Sequence, residues 1–505
     1  MVNNARDKLR LVPLYLAVAL IPFWVTMIHS IISGMNLFIG KPHNSDEFCY
    51  WRVLYSFHEC GFDFASTCGY LNCDAKVGPL GEHGLATLFA WGVGSFVLGG
   101  VNSHTLFLWN IIVLSFAIGS FFFIVKPNIW VSFWIVLLIA GNGVLCEQWY
   151  SHMMEMPCLA VIILYYAFQL KYEKTGKHLY FIIAALLCAY ASYMRICYII
   201  LIVPMLIQVC KNNKKKYNPF PLFMYFAVFL FIRSTQLLFM KSSDSFLSNV
   251  SSMGLLEIAK AIISRFVHGI VNYFSLTNGE NIEIGQRYYQ LFLLVFLFVI
   301  ALVKIENNQW KLTFRLDYFS TAVSLLGLLI MMMALYDIAD WRDVRTTMPY
   351  AVGVTIWLIV RCYGGMTSEE LLISRYCKIA LLFGLSCTTI IFAVPRYRIN
   401  HPLDRWETRK YEIEWVDMID NKSAIFCIYN AEISGDKQFQ LYEALPPRVG
   451  IQIAKEYSDL ISQADKLSYI LTPCRIRLDG WEIIAENKDY GFIYCNKKEQ
   501  VELYE

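Results

Sequence analysis

The sequence predicts a mainly α protein, a polytopic bundle of about eleven membrane-spanning helices followed by a small C-terminal α/β domain. Three observations predict it. The chain of 505 residues is 57% apolar and 16% aromatic. Only 16% of its side chains are charged, where soluble domains are nearer about one quarter. Apolar runs close to the length of a bilayer crossing recur until about residue 395, where the composition turns polar. The 43 basic and 40 acidic residues nearly balance, leaving a net charge of only +3, which argues against a nucleic-acid partner held by phosphate neutralisation.

The first apolar stretch, from Leu11 to about Met35, exceeds a signal-peptide core and has no small-residue cleavage site, so it reads as a retained first span. Further spans are expected near 104–125, 129–146, 154–170, 179–194, 196–210, 219–240, 288–303, 318–336, 349–363 and 377–394. Alternate connections carry the basic residues: Arg6, Lys8 and Arg10; Lys171, Lys174 and Lys177; Lys211, Lys214, Lys215 and Lys216; Lys304, Lys311 and Arg315; Arg361, Arg375 and Lys378. By the positive-inside rule these face the cytoplasm, which puts the N-terminus inside and, after an odd number of spans, the C-terminal domain outside. The first outer loop, 36–103, is acidic, with Asp46, Glu47, Glu59, Asp63, Asp74 and Glu82.

Residues 1–395 therefore form a transmembrane domain and 396–505 a soluble α/β domain with strand-like runs at Ala424–Tyr429 and Tyr469–Leu471. About 110 residues suffice for a separate core. The tail carries no glycine-rich phosphate loop or metal-ligand cluster, so it is expected to support or bind. Most of the fifteen cysteines lack metal or redox spacing, but Cys49, Cys60, Cys68 and Cys73 crowd the first outer loop, where an oxidising compartment would allow disulfides in any of three full pairings.

The residues suited to chemistry fall on the outer side. Asp46 and Glu47 follow the first span within Lys41-Pro-His-Asn-Ser-Asp-Glu-Phe-Cys-Tyr-Trp-Arg52. A carboxylate near low-dielectric surroundings gains proton affinity and can serve as a general base; the competing reading is a solvated acidic loop. Glu82 and His83, before an apolar helix, are candidates to border a substrate cleft, or simply turn residues. Glu155 opens an apolar span in Trp149-Tyr-Ser-His-Met-Met-Glu-Met-Pro157, three residues after His152, a further candidate to border the substrate cleft or simply an interface residue. An ionisable group at that depth signals a partner or a site. Arg195 divides the run 179–210 and reads either as part of that site or as a snorkelling cation. In Asp340-Trp-Arg-Asp-Val-Arg-Thr-Thr-Met-Pro349, Arg342 and Arg345 lie three apart and offer forked donors to a phosphate.

Acids and arginines on one membrane face resemble the GT-C superfamily of integral membrane glycosyltransferases, which includes protein mannosyltransferases, aminoarabinose transferases and oligosaccharyltransferases. The resemblance rests on Ser45-Asp46-Glu47 in the first outer loop, Glu155-Met156-Pro157, Ser192-Tyr193-Met194-Arg195 and Arg345-Thr-Thr-Met-Pro349, the last with threonine where the family has an aromatic. It implies a GT-C-like bundle, a polyprenyl-phosphate sugar donor, inversion at the anomeric carbon, Asp46 as base, Glu47 or Glu155 orienting the acceptor or a metal, and Arg342, Arg345 and Arg195 on the donor phosphate. Some relatives use a divalent metal such as Mg or Mn, for which Asp46 and Glu155 are the oxygen-donor candidates.

The expected function is transfer of a hexosyl or pentosyl group from a polyprenyl-phosphate-linked sugar to a glycan, glycolipid or protein acceptor of the cell envelope, in a bacterial inner membrane. An O-antigen-type polymerase or ligase is the nearest alternative, and Asp46-Glu47 argues against it. A lipid or glycan transporter would collect polar residues at a midplane site between repeats, whereas here they gather at one face.

Overall fold

A computed structural model describes residues 12–34, 36–42, 45–61, 70–71, 84–149, 151–212, 220–239, 253–275, 281–306, 309–335, 344–364, 368–387, 416, 418–419, 424–430, 435–488 and 490–497. The described chain is mainly helical and is an integral membrane protein by its apolar helices. Thr105–Val125, Glu283–Leu302 and Leu316–Met333 are long and apolar enough to cross a bilayer. Val12–Ala19 and Ile21–Ile32 are long and apolar enough only when taken together, and they are bent by 55° at their junction; Pro22 enters the second helix there, and proline breaks the backbone hydrogen-bond ladder of a continuous helix. Shorter apolar helices, among them Ile129–Gly141, His178–Met194 and Met348–Tyr363, occupy other expected positions.

By compactness the chain divides into two units. The first comprises Met1–Leu37, Asn110–Ser234 and Ser245–Asn400. Its helices expose large apolar side chains such as Phe116, Phe133, Leu186 and Val295, as lipid-solvated helices do. Helices Glu155–Thr175 and His178–Met194 are antiparallel neighbours joined at Gly176, whose φ of 66° is left-handed. Helix Met348–Gly364 crosses the first of these at Gly353, where an added Cβ would lie 2.6 Å from Ile162 and Tyr166. Small residues at such crossings let backbones approach.

Two elements of this unit differ from expectation. The segment before the 281–302 span forms a helix, Leu255–Phe274, that no apolar run announced because its polar and apolar residues alternate with helical period. Buried Arg287 donates to the carbonyl of Asn272 at 2.7 Å, at the last turn of that helix. The basic connection holding Lys304 and Lys311 is an antiparallel hairpin, Val303–Glu306 with Gln309–Leu312.

The second unit comprises Phe38–Trp109, Thr235–Asp244 and His401–Glu505. In chain order its strands are β1 Tyr70–Leu71, β2 Ile425–Tyr429, β3 Gly450–Ala454, β4 Tyr469–Thr472, β5 Trp481–Asn487 and β6 Gly491–Asn496. They form one sheet in the order β1-β3-β2-β4-β6-β5, parallel from β1 to β4 and antiparallel beyond. The strand-like runs read from the sequence are β2 and β4, buried as central parallel strands are except at the half-buried Tyr429 that ends β2. The acidic segment read as a loop is instead helical from Ser45 to Glu59. Asp46 and Glu47 occupy its first turn, where negative charge complements the helix dipole.

In that helix buried Arg52 gathers the carbonyls that close helix Gly435–Ala444. Its Nη1 donates to Tyr442 O at 2.9 Å and Leu445 O at 2.8 Å. Its Nη2 donates to Val449 O at 2.9 Å and to Pro446 O. Phe48 and Trp51 pack on Phe439 beside it. Cys49 is buried and Cys60 half-buried, while Cys68 and Cys73 lie outside the described residues, so the four-cysteine pairings do too.

Candidate active site

The first unit brings together three of the expected site residues. Glu155 is the first residue of helix Glu155–Thr175, with Pro157 in the opening turn, a position proline tolerates because its missing N–H has no partner there anyway. Arg195 stands in extended conformation in the break between His178–Met194 and the 3-10 segment Ile196–Ile202. Because the two helices are antiparallel, the start of one lies beside the end of the other. Arg195 Nη2 donates to Glu155 Oε1 at 2.6 Å. Arg345, in the 3-10 turn Val344–Thr346 before the Met348–Gly364 helix, brings Nε to 4.0 Å from the same oxygen.

Exposure separates the three. The Glu155 side chain is 0% exposed, against 15% for Arg195 and 23% for Arg345. The carboxylate lies beneath two guanidinium groups that keep contact with the surface. Glu155 Oε2 has no hydrogen-bond partner among the described residues. A guanidinium has five N–H donors in a fixed fork, so orientation by one carboxylate oxygen leaves it suited to hold a second anion.

The surrounding turns fix these groups. Arg345 Nη1 lies 3.5 Å from Met153 Sδ. Asn110 Nδ2 donates to the carbonyls of Ser151 and Met153 at 3.4 and 3.3 Å, supporting the turn that leads to Glu155. Tyr198 Oη donates to Thr346 O at 2.6 Å and Gln290 Nε2 to Thr347 Oγ1 at 2.6 Å, both directly after Arg345 in the chain. His152 is fully buried three residues before Glu155.

Asp46 and Glu47 belong to the second unit, Asp46 half-buried and Glu47 buried. Glu82, His83 and Arg342 lie outside the described residues. Among the described residues no three His, Cys, Asp or Glu side chains assemble as metal ligands. Of the two Glu155 oxygens, Oε1 accepts from Arg195, and Oε2 is the one without a hydrogen-bond partner among the described residues.

Sequence reasoning missed Gln290, Tyr198 and Arg52 as supports. Gln290 was detectable as a polar residue within an apolar span, whereas Arg52 looked like ordinary loop charge. It also read Arg361 as a loop cation. Arg361 instead ends its helix between Asp317 Oδ2 at 2.5 Å and Glu173 Oε2 at 3.8 Å, stacked over Tyr318 and Trp357. Glu173 lies 18 residues beyond Glu155 on one helix, or about 27 Å. One helix therefore carries a charged cluster at each end.

No protein-family model matches the chain, and no curated protein matches it. Among solved structures the chain is similar to the crystal structure of ArnT from Cupriavidus metallidurans bound to undecaprenyl phosphate, at 10% identity over 96% of this chain and 98% of that chain, with a TM-score of 0.48. It is also similar to the archaeal oligosaccharyltransferase AglB from Archaeoglobus fulgidus in complex with an inhibitory peptide and a dolichol-phosphate, at 8% identity over 90% of this chain and 69% of that chain, with a TM-score of 0.40.

Proposed function

We propose that the chain is an inverting glycosyltransferase that moves a hexosyl or pentosyl group from a polyprenyl-phosphate donor to an extracytoplasmic glycan, glycolipid or protein. The observation that carries this reading is the buried Glu155 carboxylate beneath the partly exposed Arg195 and Arg345. A buried ion pair is a weak stabiliser, since apolar residues of similar size do as well. Its place at the mouth of an apolar helix therefore supports a functional role.

In the reaction an acceptor hydroxyl attacks the anomeric carbon, its oxygen forming the new glycosidic bond as the bond from that carbon to the phosphate oxygen breaks. The phosphate leaves with the electron pair, and its charge is met by guanidinium donors. Arg345, the more exposed, takes the phosphate, with Arg342 as a second donor; Arg195 is held by Glu155 and completes the anion-binding face. The acceptor proton goes to Asp46, the carboxylate assigned as base from the sequence, with Glu47 beside it. Phosphate is a good leaving group, so no second carboxylic acid is required, unlike glycoside hydrolysis. Eleven spans, an inside N-terminus, an extracytoplasmic C-terminal domain and a bacterial inner membrane complete the proposal.

The test is sugar transfer from a radiolabelled polyprenyl-phosphate sugar panel to envelope extract by purified wild type and by Asp46→Asn prepared to equal fold and yield. Transfer by wild type that is lost in Asp46→Asn supports both the activity and the base. Equal transfer removes Asp46 from that role. Lipid binding without transfer by either protein favours the transporter reading.

A further inference from the structure

Helix Asn281–Leu302 carries two glutamines, Gln286 and Gln290, one helical turn apart on one face, and both are fully buried. Each commits one end of its amide to another element. Gln290 Nε2 donates to Thr347 Oγ1 at 2.6 Å, two residues beyond Arg345. Gln286 Oε1 accepts from Asn142 Nδ2 in a long contact of 3.5 Å, at the break between helices Ile129–Gly141 and Gly143–Trp149. The opposite ends, Gln286 Nε2 and Gln290 Oε1, are buried without hydrogen-bond partners among the described residues. Asn142 Oδ1 accepts from Leu145 N at 3.0 Å, which fixes Asn142 Nδ2 as the donor and Gln286 Oε1 as its acceptor.

Glutamines that merely joined helices would use the polar atoms they bury, because a polar group without a partner is costly where no water replaces it. Here the surplus is one donor and one acceptor, on side chains whose Cβ atoms are about 6 Å apart by helical spacing. That pair complements adjacent hydroxyls, each of which both donates and accepts. Gln290 is fastened to the Arg345 turn through Thr347, with Gln286 one helical turn before it, and Arg345 is the proposed phosphate ligand. The leaving phosphate and the sugar are bonded to each other, so a phosphate at Arg345 carries its sugar a short distance away. We infer that Gln286 and Gln290 form the donor-sugar subsite and select the sugar by hydrogen bonds to its hydroxyls. This rests on the glycosyltransferase reading above.

The experiment measures binding of sugar-free undecaprenyl phosphate, and of undecaprenyl-phosphate-linked hexoses and pentoses, to the purified full chain in lipid nanodiscs. Wild type is compared with Gln286→Met and Gln290→Met, which keep side-chain length and remove the amide. Gln286→Asn and Gln290→Asn, which keep the amide but withdraw it, serve as a second pair if the methionine variants do not fold. The expected result is that the preferred sugar-linked lipid weakens about tenfold or more in each folded variant, the equivalent of one net hydrogen bond. Binding of sugar-free undecaprenyl phosphate stays within about twofold. Unchanged preference across the panel overturns the subsite and leaves the glycosyltransferase reading intact, with the amides acting only between helices. An equal loss for sugar-linked and sugar-free lipid also overturns it. Failure of wild type to bind any of the lipids overturns both readings.

Discussion

Arg195 Nη2 donates to Glu155 Oε1 across 2.6 Å, joining the residue that opens one helix to the residue that closes its antiparallel neighbour. The acid meets the positive end of one helix dipole and the base the negative end of the other, so the backbone favours the pair before any ligand binds. Removing only one partner leaves a desolvated charge. Glu155→Gln and Arg195→Gln are each expected to destabilise the protein by about 3 kcal/mol. The double variant should lose less than their sum by about 1–3 kcal/mol. Denaturant unfolding of all four proteins in detergent checks this, and strict additivity would remove the pair from the account.

Arg345 approaches the same carboxylate only at 4.0 Å and is the most exposed of the three. Its replacement by lysine keeps the charge but loses the planar fork. Arg345→Lys is expected to raise KM for the lipid donor about tenfold while leaving the unfolding midpoint near wild type. Donor titrations in the transfer assay read the first quantity and thermal unfolding the second.

Gly353 sets the spacing between the helix that begins with Glu155 and the helix that follows the Arg345 turn. A valine there drives its Cβ into Ile162 and Tyr166, and overpacking of this kind costs about 1–3 kcal/mol. Gly353→Val is expected to lower stability and to reduce donor binding together, because the crossing carries both charged groups. Retained donor affinity in a folded Gly353→Val protein would show that the two helix starts do not depend on this contact.

Arg52 offers one guanidinium to four carbonyls at the end of helix Gly435–Ala444, a fan that a single ammonium cannot reproduce. Hydrogen bonds from a charged donor contribute about 1.5–3 kcal/mol each. Arg52→Lys is therefore expected to expose the tail to limited proteolysis at protease levels that wild type resists. A wild-type digestion pattern would mean that the sheet and its helices hold without the cap.

Burial pushes the Cys427 thiol on β2 up to about 12, whereas Cys474 after β4 is exposed. A thiol with raised pKa stays protonated, and the thiolate is the reactive form. Maleimide at pH 8 is expected to label Cys474 in the folded protein and Cys427 only after unfolding, as read by peptide mass spectrometry. Equal labelling of both in the folded state would contradict the buried placement of β2.

The helical positions and the central strands were legible in the sequence because both report on the solvent around a short segment. A run such as Thr105–Val125 is apolar on every side, and Ile425–Tyr429 is apolar without alternation, whatever else the chain does. Ser45–Glu59 and Leu255–Phe274 were not legible, since their polar residues resemble loop composition until a helical face is buried. The sequence by itself determined that Glu155, Arg195 and Arg345 lie at the ends of apolar segments, because a charge cannot lie unpaired within one. Only the tertiary structure decided that these ends meet on one carboxylate oxygen, that Arg52 caps a helix some 390 residues away, and that two glutamine amides each keep one atom without a partner among the described residues. Such facts depend on which helices are neighbours, and helix neighbours are selected by close approach at residues such as Gly353, a property of two surfaces together that neither segment carries alone.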